Sequence, residues 1–373
     1  MSQTGDVSVP FGSVGTASLA ATESELSDGT PFGSYDHLSR NTSAEYARLL
    51  ALVAERSPAA ETLFAAVEGR EGGELLFQDP LVRRTLEDGV LTLLCGLDAI
   101  DAATLSEVLL CTAAHAEAGE RSMLDATTRC VALGSAPGHA FVWADDRPAT
   151  VPGRRFVEEV LKRLPGFGIE VPTDEQVQLL DQGVHLALQI TPTLARSALS
   201  HLRTVVVGDF EGGGPPINAL TAPGLPGVVF LSPHTLSDRA AVAETLMHES
   251  IHLKFLDIEY VHTLFPVGFR PYSSPRITPA WHQNDERYGG WPLDRLLTSM
   301  QVYLSLAVFF GLAAERRGDD FHAPDDCVAR ADRCTTRATW LFTAAQDYLD
   351  HLSPAGREFV TWMGGMLALL PGT

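Results

Sequence analysis

His248, Glu249 and His252 stand in the stretch TLMHESIHLKF, residues 245–255. On an α-helix, residues four apart lie one turn apart on the same face. Both imidazoles can therefore reach one metal ion, while Glu249, next to the first, can reach a water bound to it. Two histidines and a glutamate on an otherwise apolar helix are costly to bury without a partner, which favours a ligand role over a packing role. Such a site needs at least a third ligand. Zinc peptidases complete it with His, Glu or Asp. A non-haem iron site pairs two histidines with a carboxylate and keeps positions open for 2-oxoglutarate and oxygen. The position six after His252, where one peptidase class has histidine, is Ile258. On the next long helix Asp294 is the only acid before Glu315, and His262 and His282 are the other candidates.

The elements that must position these groups are mostly helical. SDRAAVAETLMHESIHLKFLD reads as a helix capped by Ser237, with Ala240, Ala243, Leu246, Met247, Ile251 and Phe255 building an apolar face. It follows two β-branched runs bounded by Gly and Pro, residues 202–208 and 227–233, which read as strands. Between them, 209–226 is a long Gly/Pro-rich loop. Upstream, a helix opens at Thr42 or Ser43, and another has Ser57 as cap, Pro58 at its first position and Gly69 as stop. Residues 80–118 form two helices, the second opening at Asp101, and helices near 153–165 and 173–192 follow. After the motif helix come a loop of about 35 residues, a long apolar helix at 292–315, and helices near 325–350 and 354–369. The expected fold is mainly α with a small β-sheet (α+β), a zincin-like metal helix beside a short sheet. Residues 1–38 read as a flexible arm, ordered at its end by Phe32 and Tyr35. Residues 39–200 read as a helical N-terminal region and 201–373 as the metal-binding catalytic region.

Composition narrows the partners. A net charge of −20, from 47 acids and 27 bases, repels nucleic acid and anionic membranes. Five cysteines, none in a C-x-x-C pair, fit a reducing cytoplasm and no cysteine zinc site. The first residues lack the basic and apolar regions of a signal peptide. VYLSLAVFFGLAA is closer to a buried helix than to a membrane span.

The ordered series LPGVVFLSP, AETLMHESIHLKF, PYSSPR, PLDRLLTSMQVYLSLAVFF and LSPAGREFVTWM resembles the H-E-x-x-H domain family found beside bacterial peptide-maturation enzymes, over roughly residues 200–370. Members of that family are regarded as iron(II)- and 2-oxoglutarate-dependent β-hydroxylases of ribosomally made peptides. The resemblance implies that His248 and His252 bind the metal, that Glu249 is the motif glutamate, and that Arg276 in YSSPR grips the 2-oxoglutarate carboxylate. A guanidinium suits that task through two parallel hydrogen bonds. The chain departs from the family pattern in two places. ITPAWHQNDERYGGW lengthens the link to the next helix, and Thr298, Gln301 and Tyr303 stand on that helix where relatives carry a histidine. His282 or Asp294 could replace that ligand. The implied substrate is a peptide, which the 227–233 strand could bind along its edge. The alternatives are a zinc metallopeptidase with Glu249 as base, and a non-catalytic peptide-binding relative.

Overall fold

The computed structural model describes residues 14–68, 70, 73–120, 122–210, 218–282, 290–316 and 321–370. Within them the chain is mainly helical with a small mixed six-stranded sheet. It divides into two compact units: Met1–Gly33, Leu188–Leu194 and His262–Thr373 in one, Ser34–Ala187 and Ala195–Val261 in the other. Neither unit follows the regions drawn from the sequence.

In chain order the helices are α1 (Val14–Asp28), α2 (Tyr35–Ala54), α3 (Pro58–Val67), α4 (Pro80–Leu93), α5 (Ala102–Ala118), α6 (Met123–Thr127), α7 (Val151–Arg163), α8 (Asp174–Ile190), α9 (Pro192–Leu199), α10 (Arg239–His262), α11 (Leu293–Arg316), α12 (Pro324–Gln346) and α13 (Pro354–Leu367). The strands are β1 (Cys130–Ala132), β2 (Phe141–Trp143), β3 (Phe167–Ile169), β4 (Thr204–Phe210), β5 (Ala219–Thr221) and β6 (Val228–Leu231). Local chemistry sets many boundaries. Ser57 caps α3 with Pro58 at its first position, and Asp101 caps α5, both as the sequence signals. Helix α2 instead opens at Tyr35, capped by Ser34, and Thr42 and Ser43 are buried inside it. The Gly69 stop lies outside the described residues.

The larger unit carries the sheet, in the order β1-β2-β4-β6-β5, with β3 pairing antiparallel to the end of β4. Strands β2, β4 and β6 run parallel, and β1 and β5 close the two sides antiparallel. Strand β6 therefore lies between two neighbours and has no free edge, which corrects the expectation that 227–233 offers one to a peptide. Part of the expected 209–226 loop is β5, the strand that does form an edge. The core beneath the sheet joins Leu50, Leu63, Leu86, Leu109, Trp143, Phe156, Val206 and Phe230. Full burial of each such side chain stabilises the fold by about 1.5–3 kcal/mol.

The smaller unit packs α1, α11, α12 and α13 together. Helix α1 corrects the expectation of a flexible arm over residues 14–28. Its inner face holds Leu19 and Leu26 together with Thr22, Glu23 and Ser27. Glu23 accepts from the backbone N–H of Thr193 at 3.0 Å, so a buried acid is satisfied and the chain before residue 195 is held. Gly311 of α11 lets Leu19 approach: a Cβ there would sit 2.9 Å from Leu19 Cδ1. Helix α11 has the length and apolar composition of a membrane span, yet 83% of that stretch is buried inside the protein.

Candidate metal centre on helix α10

Helix α10 begins with a cap from Asp238, whose Oδ1 accepts from the N–H groups of Ala240 and Ala241 at 2.8 and 2.9 Å. The expected cap, Ser237, instead donates to the Asp238 carboxylate at 3.4 Å. The helix then runs without a break to His262, past the end expected at residue 257.

The larger unit grips α10 from several sides. Gly183 of α8 lies against it, and a Cβ there would come within 2.4 Å of Val242 Cγ1. Lys254, 1% exposed, donates to Ser197 Oγ of α9 at 2.9 Å. Asp257 accepts from Arg83 of α4 at 2.8 Å through Oδ1 and pairs with His201 Nδ1 at 2.6 Å through Oδ2. Burial alone would raise the Asp257 carboxyl, but Arg83 and His201 outweigh it and hold the group well below the carboxylate range. Tyr260 stacks on Tyr46 of α2 at 5.0 Å, and Arg83 lies over the Tyr46 ring at 4.8 Å.

So held, α10 brings His248 and His252 together. Their Nε2 atoms are 3.3 Å apart and their ring centroids 5.0 Å apart. Burial draws His248 down to about 4, although 38% of its side chain is accessible. The ordinary imidazole value of about 6.5 already lies below neutrality, so the ring offers a lone pair at pH 7 in either case. Glu249 is buried with Oε1 4.0 Å from His248 Nε2, too far for a hydrogen bond. Burial pushes its carboxyl up to about 8, opposed by a hydrogen bond from the Thr221 hydroxyl on β5. The site thus sets two imidazoles, one of them held neutral by burial, beside a protonatable carboxyl and next to β5.

This pair fits a metal. With metal–nitrogen bonds of about 2.1 Å, two donors 3.3 Å apart subtend roughly 104° at one ion, between the ~90° of an octahedron and the ~109° of a tetrahedron. Among the described residues no group of three or more His, Cys, Asp or Glu side chains gathers at metal-binding geometry. His262 ends the same helix ten residues beyond His252, a rise of about 15 Å that prevents both from binding one ion. Its ring packs on Phe32 at 4.9 Å instead.

The remaining candidates belong to the smaller unit. His282 ends a short 3₁₀ turn, Ala280–His282, with its ring 5.7 Å from Trp291. It sits beside an aromatic cluster in which Trp281 meets Trp291, Tyr303 and Trp340 edge-on at 5.5–6.0 Å. Arg276 is exposed and donates to the Tyr272 carbonyl at 3.3 Å. Its turn is pinned to the start of α11 by the Ile277–Trp291 bridge and by Ser274 Oγ, which accepts from Leu293 N–H at 3.2 Å. Burial raises the Asp294 carboxyl, partly offset by Arg276 and Arg295, so two sequence candidates, Arg276 and Asp294, are electrostatic neighbours. Residues 283–289, the middle of the lengthened link, lie outside the described residues.

Sequence reasoning missed Thr221, His201, Arg83 and Asp257. Lys254 and Asp257 did leave a signal, as charged positions on a helix otherwise apolar on that side. No protein-family model matches the chain, and no curated protein matches it.

Proposed function

We propose that the protein is an iron(II)- and 2-oxoglutarate-dependent oxygenase that hydroxylates a peptide, with His248 and His252 as metal ligands. The observation that carries this reading is the 3.3 Å separation of two Nε2 atoms on one anchored helix. The segments shared with the peptide β-hydroxylase family support iron over zinc. When bound, iron would supply the redox chemistry: oxygen and 2-oxoglutarate give carbon dioxide, succinate and a hydroxylated C–H carbon. The chain's own work is positional. The Asp257, Lys254 and Tyr260 contacts fix the rotation of α10, and with it the two rings. Glu249, buried and held by Thr221, stores a proton beside His248. Arg276 is the cation offered to a carboxylate, and His282 remains the proposed third ligand, with Asp294 as its alternative. Five free cysteines agree with a reducing cytoplasm as the working compartment.

One observation favours a second reading, a zinc peptidase. The Glu249 carboxyl lies beside His248, placed to take a proton from a water on a zinc held there. The two are separated by anaerobic reconstitution with Fe(II), followed by 2-oxoglutarate and then oxygen. The oxygenase gives a metal-to-ligand charge-transfer band, and succinate once oxygen is added. A metal-replete protein giving neither sinks that reading. A chain that retains neither iron nor zinc at one equivalent is a non-catalytic relative.

A further inference from the structure

The larger unit contains a cleft of about 770 Å³, within the size range of small-ligand sites, whose lining includes none of the α10 residues. Its lining includes Tyr35, Gln78, Gly138 and Arg203, and also Asp79, Glu120, Ser122 and Asp125. Arg203 is only 8% exposed. Its guanidinium donates to the Gly138 carbonyl, to Gln78 Oε1 and, at 2.8 Å, to the Tyr35 hydroxyl. All three acceptors are neutral. In a chain with 47 acids, this buried cation faces a cleft with no carboxylate within ion-pair distance among the described residues. A buried guanidinium without a counter-ion is costly, and with Nη2 given to Tyr35 and Gln78 its second Nη1 hydrogen is left to meet a carboxylate.

The acidic part of the lining has the reverse imbalance. Asp79, Glu120 and Asp125 crowd together with no Lys, Arg or His paired to them among the described residues. The Asp125 carboxyl is raised by burial and by both neighbouring acids. Asp79 is already satisfied by Ser122 Oγ at 2.7 Å and by backbone N–H groups, which leaves Glu120 and Asp125 to receive a cation. The loop that carries Gly138 and His139 is built for close approach. His139 adopts φ 55°, and a Cβ on Gly138 would meet Arg203 Nη1 at 2.6 Å and the Ser200 carbonyl at 2.8 Å. Backbone held in a sparsely populated conformation beside a cleft is a recurring feature of ligand sites.

We infer that this cleft binds a zwitterionic ligand of the short-peptide class, its carboxylate on Arg203 and its ammonium between Glu120 and Asp125. The site is independent of the chemistry proposed for His248 and His252, and its test reads binding alone. Titration calorimetry of the full chain would compare a glycine–phenylalanine–glycine tripeptide with its N-acetylated and C-amidated forms. Each block removes one charge-assisted contact and weakens binding by about ten-fold or more. Arg203→Met abolishes the penalty for amidation. The exposed pair Glu120→Gln and Asp125→Asn abolishes the penalty for acetylation and leaves the circular dichroism unchanged, so the test stands even if Arg203→Met does not fold. Equal affinity for free and blocked peptides, absence of binding at millimolar peptide, or an acetylation penalty unchanged in the rim variant would each overturn the assignment.

Discussion

Asp257 and His201 share a short buried polar contact on the motif helix, 2.6 Å from Oδ2 to Nδ1, with Arg83 on the other carboxylate oxygen. One carboxylate thus ties α10 to α4 and to the chain just before β4. Asp257→Ala leaves the Arg83 guanidinium buried and unpaired, a loss of about 3–5 kcal/mol. The expected outcome is a lower urea midpoint with an unchanged denaturant slope. The double variant Arg83→Met, Asp257→Leu recovers most of it, because an apolar pair needs no counter-charge. A loss below about 1 kcal/mol in the single variant would mean that water satisfies Arg83.

Acid sensitivity follows from the same pair. The folded Asp257 carboxyl is depressed, so its contribution is complete above the ordinary carboxylate value of about 4 and fades as pH falls towards the folded value. Burial lowers His201 in the folded state more than Asp257 raises it. Its contribution is complete above the unfolded imidazole value of about 6.5 and is lost on acidification below that. Both terms have one sign: stability declines below about pH 6.5, and again below about pH 4. Fluorescence-detected urea midpoints across pH 3–8 read both limbs. His201→Gln should flatten the first and leave the second; an unchanged first limb would assign it elsewhere.

Gly183 faces Val242 with no room for a methyl group. Gly183→Ala overpacks the α8–α10 contact and costs about 1–3 kcal/mol, although alanine is the better helix former. Val242→Ala alone leaves a small cavity. Together the two changes relieve one another, so the double-mutant cycle should return a favourable coupling energy of about 1 kcal/mol. Strict additivity would show that α8 shifts freely and does not set the position of α10.

These contacts mark where sequence pattern stops being informative. The α10 core, the caps at Ser57 and Asp101 and the buried α11 were legible because each is a local matter of period or capping chemistry. Helix α1 was not, because Thr22, Glu23 and Ser27 share its inner face with Leu19 and Leu26 and blur the apolar stripe. Strands β1, β2, β3 and β5, three residues each, are too short to show alternation and exist through their partners. In the site, the histidine pair was readable from a four-residue spacing. The groups that brace it were not, since Arg83 and Asp257 are 174 positions apart. Thr221 lies on a strand hidden in what reads as a loop.

The proposed metal site makes a claim about stability as well as turnover. An ion that binds the folded chain alone, supplied at about 100 times its dissociation constant, stabilises by about 2.7 kcal/mol. Anaerobic Fe(II) should therefore raise the melting temperature of the wild-type chain, and a chelator should reverse the rise. His248→Ala and His252→Ala abolish the shift, each removing one of two donors that face one point. His282→Ala reduces it if His282 is the third ligand, and Asp294→Ala does so if the carboxylate is. Retention of the full shift in both variants would move the closing ligand elsewhere. Glu249→Gln keeps the shift if, as proposed, its carboxyl carries a proton and does not donate to the ion. Loss of metal in Glu249→Gln would make the glutamate a ligand and end the parallel with the peptide hydroxylases. Asp257→Asn should weaken metal binding by about ten-fold without touching either imidazole, the effect expected of a group that orients the ligands.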